Sequence, residues 1–325
     1  MLKRSRVRVS SFQRVVQRTI KVWHCSLLFG SSLIWKHLKF AANVDADFKE
    51  AIAECQDCTQ PLARGKDETS SIPDALSEIL LELDHVFVLS FNSCRTTVPE
   101  MLARRTTCVL GHKVDSCWPK SFVRGSQTHA MKVSFMHAAV FELARLKKYD
   151  HIAVIEDDAV VRRLTYSKVA LYGFQKLVHS NSWSVIRFGY RPYFLEESSR
   201  QRCPSKCRCM IRKHVSEEFC ELHRAGCDIR SSDLYAVHSQ YYSVLRSQIL
   251  SPRRSDFERI VDTRPLRMLA RQWLILPQIS FQAKLDIPLD YQLGLSALYV
   301  RKCVHPRPLP SIVAQQVLNS SSTIV

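Results

Sequence analysis

Glycine is scarce in this chain: there are 8 among 325 residues, and neither GxGxxG nor GxxxxGK[ST] occurs. Without those loops the backbone cradles that hold dinucleotide or P-loop phosphates are missing, and both readings fall away. Acidic residues are absent from Met1 to Val44, where nine Lys or Arg stand. That arm carries +9 of the formal +17, leaving +8 for everything after it. The basicity is thus largely an N-terminal feature. With no RNP-like aromatic pattern and no zinc-finger spacing beside it, nucleic acid is not the expected partner. Long apolar runs are lacking too: Val22–Trp35 spans fourteen residues, against the roughly twenty that cross a bilayer.

A basic stretch before an apolar one resembles a secretory signal or an uncleaved signal anchor. Residues 1–44 are therefore expected to be a targeting or membrane-anchor segment for the secretory pathway, Golgi or ER lumen. An Arg- and Ser-rich, acid-free arm also suits an organelle transit peptide, and that alternative stays open. Residues 45–83 are polar and mixed in charge and read as a stem or linker, closing on helical spacing over Ile72–Leu83 with Pro73 in its first turn. The pair Cys55-x-x-Cys58 has no βαβ setting, so a local disulfide or two unrelated thiols is expected rather than a redox motif. Residues 84–300 make the globular domain and 301–325 a tail, with one sequon at Asn319-Ser320-Ser321. Of the twelve Cys, five (Cys203, Cys207, Cys209, Cys220 and Cys227) crowd into an insertion at 200–230. Zinc and disulfides both suit such a cluster. The spacings CxxxC and CxC match no common finger, which favours a disulfide-stapled insertion in an oxidising compartment.

The most informative stretch is His151–Val160, HIAVIEDDAV. Ile152 to Ile155 is β-branched apart from Ala153, too short for a helix and typical of a strand buried on both faces. Glu156, Asp157 and Asp158 then mark where the strand leaves the core. Ligands of open α/β sheets collect at the carboxyl ends of strands. Mg²⁺ or Mn²⁺ takes one or two carboxylates in such places, with phosphates and waters completing its shell. The three acids are the candidate metal ligands, with Glu156 and Asp158 on one side if the strand runs that far. A helix N-cap or a solvated loop is the plainer alternative.

The flanks follow the same α/β logic. Val86–Leu89 predicts a strand whose following loop, Ser90–Arg95, lies on the ligand edge, making Arg95 a phosphate contact or a solvated cation. Gln127–Lys147 has helical spacing at Val133, Met136, Val140 and Leu143, and His137 within it reads as a packed core histidine or a ligand contact. Ser167–Val178 predicts a helix. Trp183–Phe188 predicts a strand running out at Tyr190, which either stacks on a base or sugar or rims the core. Leu234–Val237 is a further strand, preceded by Asp233. Asp262 opens a basic helix leading to the strand-like WLIL ahead of Pro277.

The segments VFVLSFNSCR, MHAAVFELARLKKYDHIAVIEDDAV, WSVIRFGY, SDLYAVHS, VDTRPLR and LPQISFQ occur in an order that resembles glycosyltransferase family 25, the lipooligosaccharide and collagen galactosyltransferase group. His137 lies nineteen positions before Glu156, the spacing of that family's helix histidine, and Tyr235 falls in its Tyr-Ala-Ile-Ser-like strand. Ser90-Phe91 stands where Asn-Leu is usual, and Met136 where Ser is. The resemblance covers about Val86 to Gln282 outside the cysteine insertion. It implies a type-A glycosyltransferase fold, a Rossmann-like mixed α/β sheet flanked by helices. It also implies transfer of a hexose, galactose favoured, from a nucleotide sugar to a glycan, glycoprotein or glycolipid acceptor, with Mn²⁺ or Mg²⁺ at Glu156, Asp157 and Asp158. Such a cation stabilises charge on the departing diphosphate. Inversion at the sugar carbon calls for a base, for which Asp262 and then Asp233 are candidates. Arg95, His137 and Tyr190 are the candidate donor contacts. Two other classes stay open: a metal-dependent phosphoryl-transfer enzyme using the same acids, and a non-catalytic binding protein with a degenerate site.

Overall fold

Nine strands form one mixed sheet in the computed structural model. It describes residues 46–55, 58–64, 72–117, 128–161, 168–180, 182–192, 209–211, 219–222, 229–251, 254–276, 278–282, 289–300 and 303. In chain order the sheet strands are β1 (Thr59–Pro61), β2 (His85–Ser90), β3 (Thr106–Leu110), β4 (His151–Glu156), β5 (Val185–Arg187), β6 (Cys209–Ile211), β7 (Phe219–Leu222), β8 (Leu234–His238) and β9 (Gln272–Ile275). Across the sheet they stand β1-β3-β2-β4-β8-β5-β9-β7-β6. β2 is parallel to both β3 and β4, and β5 is parallel to β9. β8 runs antiparallel between β4 and β5, so the carboxyl ends of β2, β4 and β5 share one edge. Helices include α1 (residues 46–54), α2 (Asp74–Leu80), α3 (His129–Leu146), α4 (Lys168–His179), α5 (Tyr242–Leu250) and α6 (Leu289–Tyr299), with shorter ones at Glu100–Ala103, Gly111–Cys117 and Asp256–Arg259. A Rossmann-like parallel core with one reversed strand beside its acidic strand, flanked by helices, is the expected mixed α/β architecture.

β4 has the near-continuous apolar character of a strand covered on both faces. Its alternate side chains enter different cores. Ile152 and Val154 join Met136, Val140 and Leu245 of α3 and α5. Ala153 and Ile155 join Ile79 and Phe174 of α2 and α4. By the same alternation Glu156 falls on the α3 side, which decides what it meets. α3 itself starts at Thr128, whose hydroxyl accepts from the Met131 N–H, and it contains neither Gly nor Pro, consistent with its 18 residues.

Residues expected to be a stem pack onto the domain instead, and Phe48–Val325 forms one compact unit. Phe48 and Ile52 are buried in the α3-side core, β1 pairs with β3, and Cys55 is disulfide-bonded to Cys117. Cys58 donates its thiol hydrogen to the Cys55 carbonyl, so the CxxC pair forms no local disulfide, Cys55 being bridged to Cys117 instead. The basic helix expected after Asp262 is a series of turns over 261–268. Pro265 has no N–H to offer the helical ladder. α6 lies inside the expected 84–300 domain, in a stretch with no predicted element. It buries Gln292, Leu295, Ser296 and Tyr299, a helical spacing that its two polar members hide.

Of the cysteine insertion, β6 and β7 are described as an antiparallel pair at the sheet edge, and Cys220 is disulfide-bonded. Apart from Ile229–Arg230, the rest of the insertion lies outside the described residues, as do the N-terminal arm and the Asn319 sequon. Among the described residues no helix is long and apolar enough to cross a membrane.

α3 and α5 are tied by Glu142, 0 % exposed, which accepts from Arg246, 3 % exposed, and from Arg145. Removing Arg246 leaves buried Glu142 paired only with the exposed Arg145, so Arg246→Ala is expected to cost about 3 kcal/mol in chemical denaturation, the low end for breaking a buried pair. His85, stacked on Tyr149 at 4.7 Å and bonded to the Thr107 hydroxyl at 2.8 Å, is pushed from 6.5 down to about 4 by burial. Its unfolded form binds the proton first, so stability is complete above pH 6.5 and falls as pH drops toward 4. In His85→Gln that acid-side loss is expected to shrink by about 3 kcal/mol, read from denaturation midpoints across the window.

Candidate active site

A cavity of about 800 Å³ opens at the edge where β2 and β4 end. Its walls are the loop after β2, the first turns of α3, the acidic turn after β4, and residues 260–262. Glu156, Asp157, Asp158, Arg95 and Asp262 all line it. Three separate stretches of chain therefore bring five of the eight sequence-derived site residues to one place.

The loop carrying Arg95 is fastened at several points. Cys94 is disulfide-bonded to Cys108 in β3. The Ser90 hydroxyl lies 2.8 Å from the Ser93 carbonyl. The Phe91 carbonyl accepts from the His112 N–H at 3.0 Å. Arg95 is exposed at the rim, free to reach an anionic ligand on the cavity side.

β4 stops at Glu156, and Asp157 and Asp158 form a turn, so the expected alternation of the three acids does not persist. Glu156 turns inward toward α3. Its Oε1 accepts from His137 Nε2 at 3.1 Å and from the Ser232 hydroxyl at 2.5 Å, and its Oε2 from Gln282 Nε2 at 3.0 Å. Burial opposes its charge, but the bonds from His137, Ser232 and Gln282 outweigh that and hold it below the usual carboxylate range. Asp157, exposed, accepts from the Ser90 hydroxyl at 2.5 Å, and Asp158 is half-buried beside it.

These donors bear on the expected metal site. Three of the roughly four acceptor positions of Glu156 are already used within the protein. That leaves one position of Glu156, beside Asp157 and Asp158, to face a cation. Among the described residues no group of three or more His, Cys, Asp or Glu is gathered to hold a metal. Two adjacent carboxylates fit an ion whose shell is completed by phosphates and water, the habit of Mg²⁺, and not an all-protein cage.

The remaining candidates divide. Asp262 is half-buried on the cavity wall, its carboxyl raised by burial and by the charge of Glu156. Asp233 is 0 % exposed and takes bonds from the Ser231 and Ser280 hydroxyls. Burial pushes it up to about 6. A base must reach the hydroxyl it deprotonates, which Asp233 cannot; it instead clasps β8 to the 280–282 strand. His137 is also 0 % exposed and meets Glu156 rather than a donor. Tyr190, expected to stack on a base or sugar, is 1 % exposed and packs edge-on against Tyr299 of α6 at 5.9 Å. It lies in a separate core with Leu295 and Leu274.

Three contributors escaped the sequence reading: Ser90, Ser232 and Gln282. Gln282 reaches Glu156 because residues 280–282 pair antiparallel with 159–161, setting Gln282 opposite Ala159. No local pattern signals that pairing. Gly189, at the end of β5, is required by a close approach: a Cβ there would fall on the Asp233 carboxylate.

Fold and site together define a Rossmann-like α/β protein with an acid-floored cleft at the carboxyl edge of its sheet. No family model and no curated protein matches the sequence. Among solved structures the chain is similar to UDP-glucose pyrophosphorylase complexed with UDP-glucose, at 13% identity over 70% of this chain and 87% of that one, TM-score 0.31. It is likewise similar to apo UDP-glucose pyrophosphorylase, at 13% identity over 74% and 92%, TM-score 0.34. At such values the fold assignment rests on the strand order itself and not on these neighbours.

Because Asp233 leaves no room beside it, Gly189→Ala is expected to destabilise the fold by about 1–3 kcal/mol, the usual cost of overpacking. An unchanged thermal unfolding midpoint would show that the Asp233 clasp yields freely.

Proposed function

We propose that this chain is a glycosyltransferase moving a hexose, galactose favoured, from a nucleotide sugar to a glycan or protein acceptor, and that it is a member of glycosyltransferase family 25. The observation that carries this reading is the convergence of Glu156, Asp157, Asp158, Arg95 and Asp262 on one cavity at the carboxyl edge of the sheet. A volume of about 800 Å³ lies within the range that encloses a nucleotide-sized ligand.

Asp157 and Asp158 would hold a divalent cation, Mn²⁺ or Mg²⁺, which supplies Lewis-acid stabilisation of a leaving diphosphate. The protein's own residues do the rest. Arg95 meets the diphosphate from the β2 side as a fixed positive charge. Asp262, on the opposite wall, takes the proton of the acceptor hydroxyl; a carboxyl raised by burial and a neighbouring anion is a stronger base than a solvated one. Glu156 stays ionised on the cavity floor. The disulfides Cys55–Cys117 and Cys94–Cys108 support an oxidising compartment, and with it the secretory pathway.

The test is a panel of nucleotide sugars offered to the full chain with and without Mn²⁺, scored for binding and for hydrolysis or transfer. One nucleotide sugar is expected to bind in a Mn²⁺-dependent manner. Asp158→Ala is expected to weaken that binding by roughly 100-fold, the upper end of what loss of even an outer-sphere metal partner costs. Binding indifferent to both Mn²⁺ and Asp158→Ala would overturn the proposal. Phosphate release without a sugar acceptor would replace it with phosphoryl transfer.

A further inference from the structure

Two fully buried residues stand behind the cavity floor without lining it. His137, on α3, and Tyr235, on β8, are each 0 % exposed. The Tyr235 phenol lies 2.6 Å from His137 Nδ1, and His137 Nε2 lies 3.1 Å from Glu156 Oε1. An ionised carboxylate only accepts, so Nε2 carries the hydrogen, and Nδ1 then accepts from the phenol. Burial and the charge of Glu156 push the phenol well above its ordinary range, so its proton stays in place. The result is a line of two hydrogen bonds, phenol to imidazole to carboxylate, joining the middle of β8 to the end of β4 through α3.

Such a line does more than satisfy polar atoms. Ser232 and Gln282 grip the other acceptor positions of Glu156, and only the remaining one can face the cavity. Its direction depends on the plane of the carboxylate, which follows the angle of the imidazole. The imidazole in turn is held by the phenol. Resting on the reading of the site given above, we propose that Tyr235 and His137 are positioning residues that set the affinity of the cavity for a nucleoside diphosphate through the orientation of Glu156. Neither touches the ligand, and Tyr235 acts only through His137.

The experiment is a double-substitution cycle on the full chain, with UDP, GDP and ADP as probes, each with Mn²⁺, followed by titration calorimetry. At least one nucleoside diphosphate is expected to bind, and Asp158→Asn to weaken that binding by up to roughly 100-fold. Tyr235→Phe is expected to weaken it roughly 5–10-fold, the scale of a coupled polar pair. In His137→Gln the amide nitrogen replaces Nε2 as donor to Glu156 and no longer needs the phenol. Adding Tyr235→Phe to that background is then expected to change affinity less than about twofold. Equal losses in both backgrounds, or none in either, overturn the positioning role while leaving the reading of the site intact. If the wild type binds none of the probes, or Asp158→Asn binds as well as the wild type, the site reading fails and the positioning role with it. A ligand-free measurement guards against variants that fold poorly. The imidazole ¹⁵N shifts of His137 in histidine-labelled wild type are expected to show a protonated Nε2 and a bare, hydrogen-bonded Nδ1. A protonated Nδ1 overturns the relay whatever the calorimetry gives.

Discussion

A carboxylate taken out of water must find donors to replace it or give up its charge. Glu156, 9 % exposed at the end of the central strand, meets that demand with donors from three directions. His137 comes from α3, Ser232 from the approach to β8, and Gln282 from the short ribbon beside the acidic turn. Its own N–H is taken by the Asp233 carbonyl at 2.9 Å. The elements around the cavity are therefore held in register by one buried anion, and the cavity keeps its shape because that anion must be served.

Asp233 repeats the principle one layer down. It too is buried with hydroxyl donors, Ser231 and Ser280, but it faces a glycine rather than a cavity. Two acids of similar burial thus have different work: one floors the cleft and the other locks the strands beneath it. Ser231, between them in the chain, adopts φ 102°, a conformation that is uncommon for a residue with a side chain. Its carbonyl accepts from the fully buried Arg187 at 2.8 Å. The strain sits where strands from both halves of the sheet meet.

Charge shows the same dependence on place. The chain is strongly basic as a whole, at +17, while the floor of its main cavity carries consecutive acids. Net charge describes how the protein meets its surroundings at long range; over a few ångströms the local arrangement decides. Arg95 at the rim and the acids at the floor give the cavity an internal polarity that the overall sum conceals.

The sequence alone sufficed for the strands at Val86, Ile152 and Leu234, the long helix through His137, and the acidic turn, because each is announced by its own periodicity or by an abrupt change from apolar to charged residues. Arg95 and Asp262 were legible as edge residues for the same reason, each standing just past a strand or at the head of a turn. Tyr190 stayed open between a stacking contact and the rim of the core, because an aromatic after a strand looks the same whether the next layer is solvent or another helix. Only the docking of α6 determined that Tyr190 is core. Asp233 looked like an edge acid for a similar reason, its partner Ser280 being remote in the chain, whereas the packed-core reading of His137 is the one the fold adopts. Helix and strand are written in neighbours a few positions apart; which side chains share a cavity depends on contacts between residues from about twenty to more than a hundred positions apart, and those exist only once the sheet has closed.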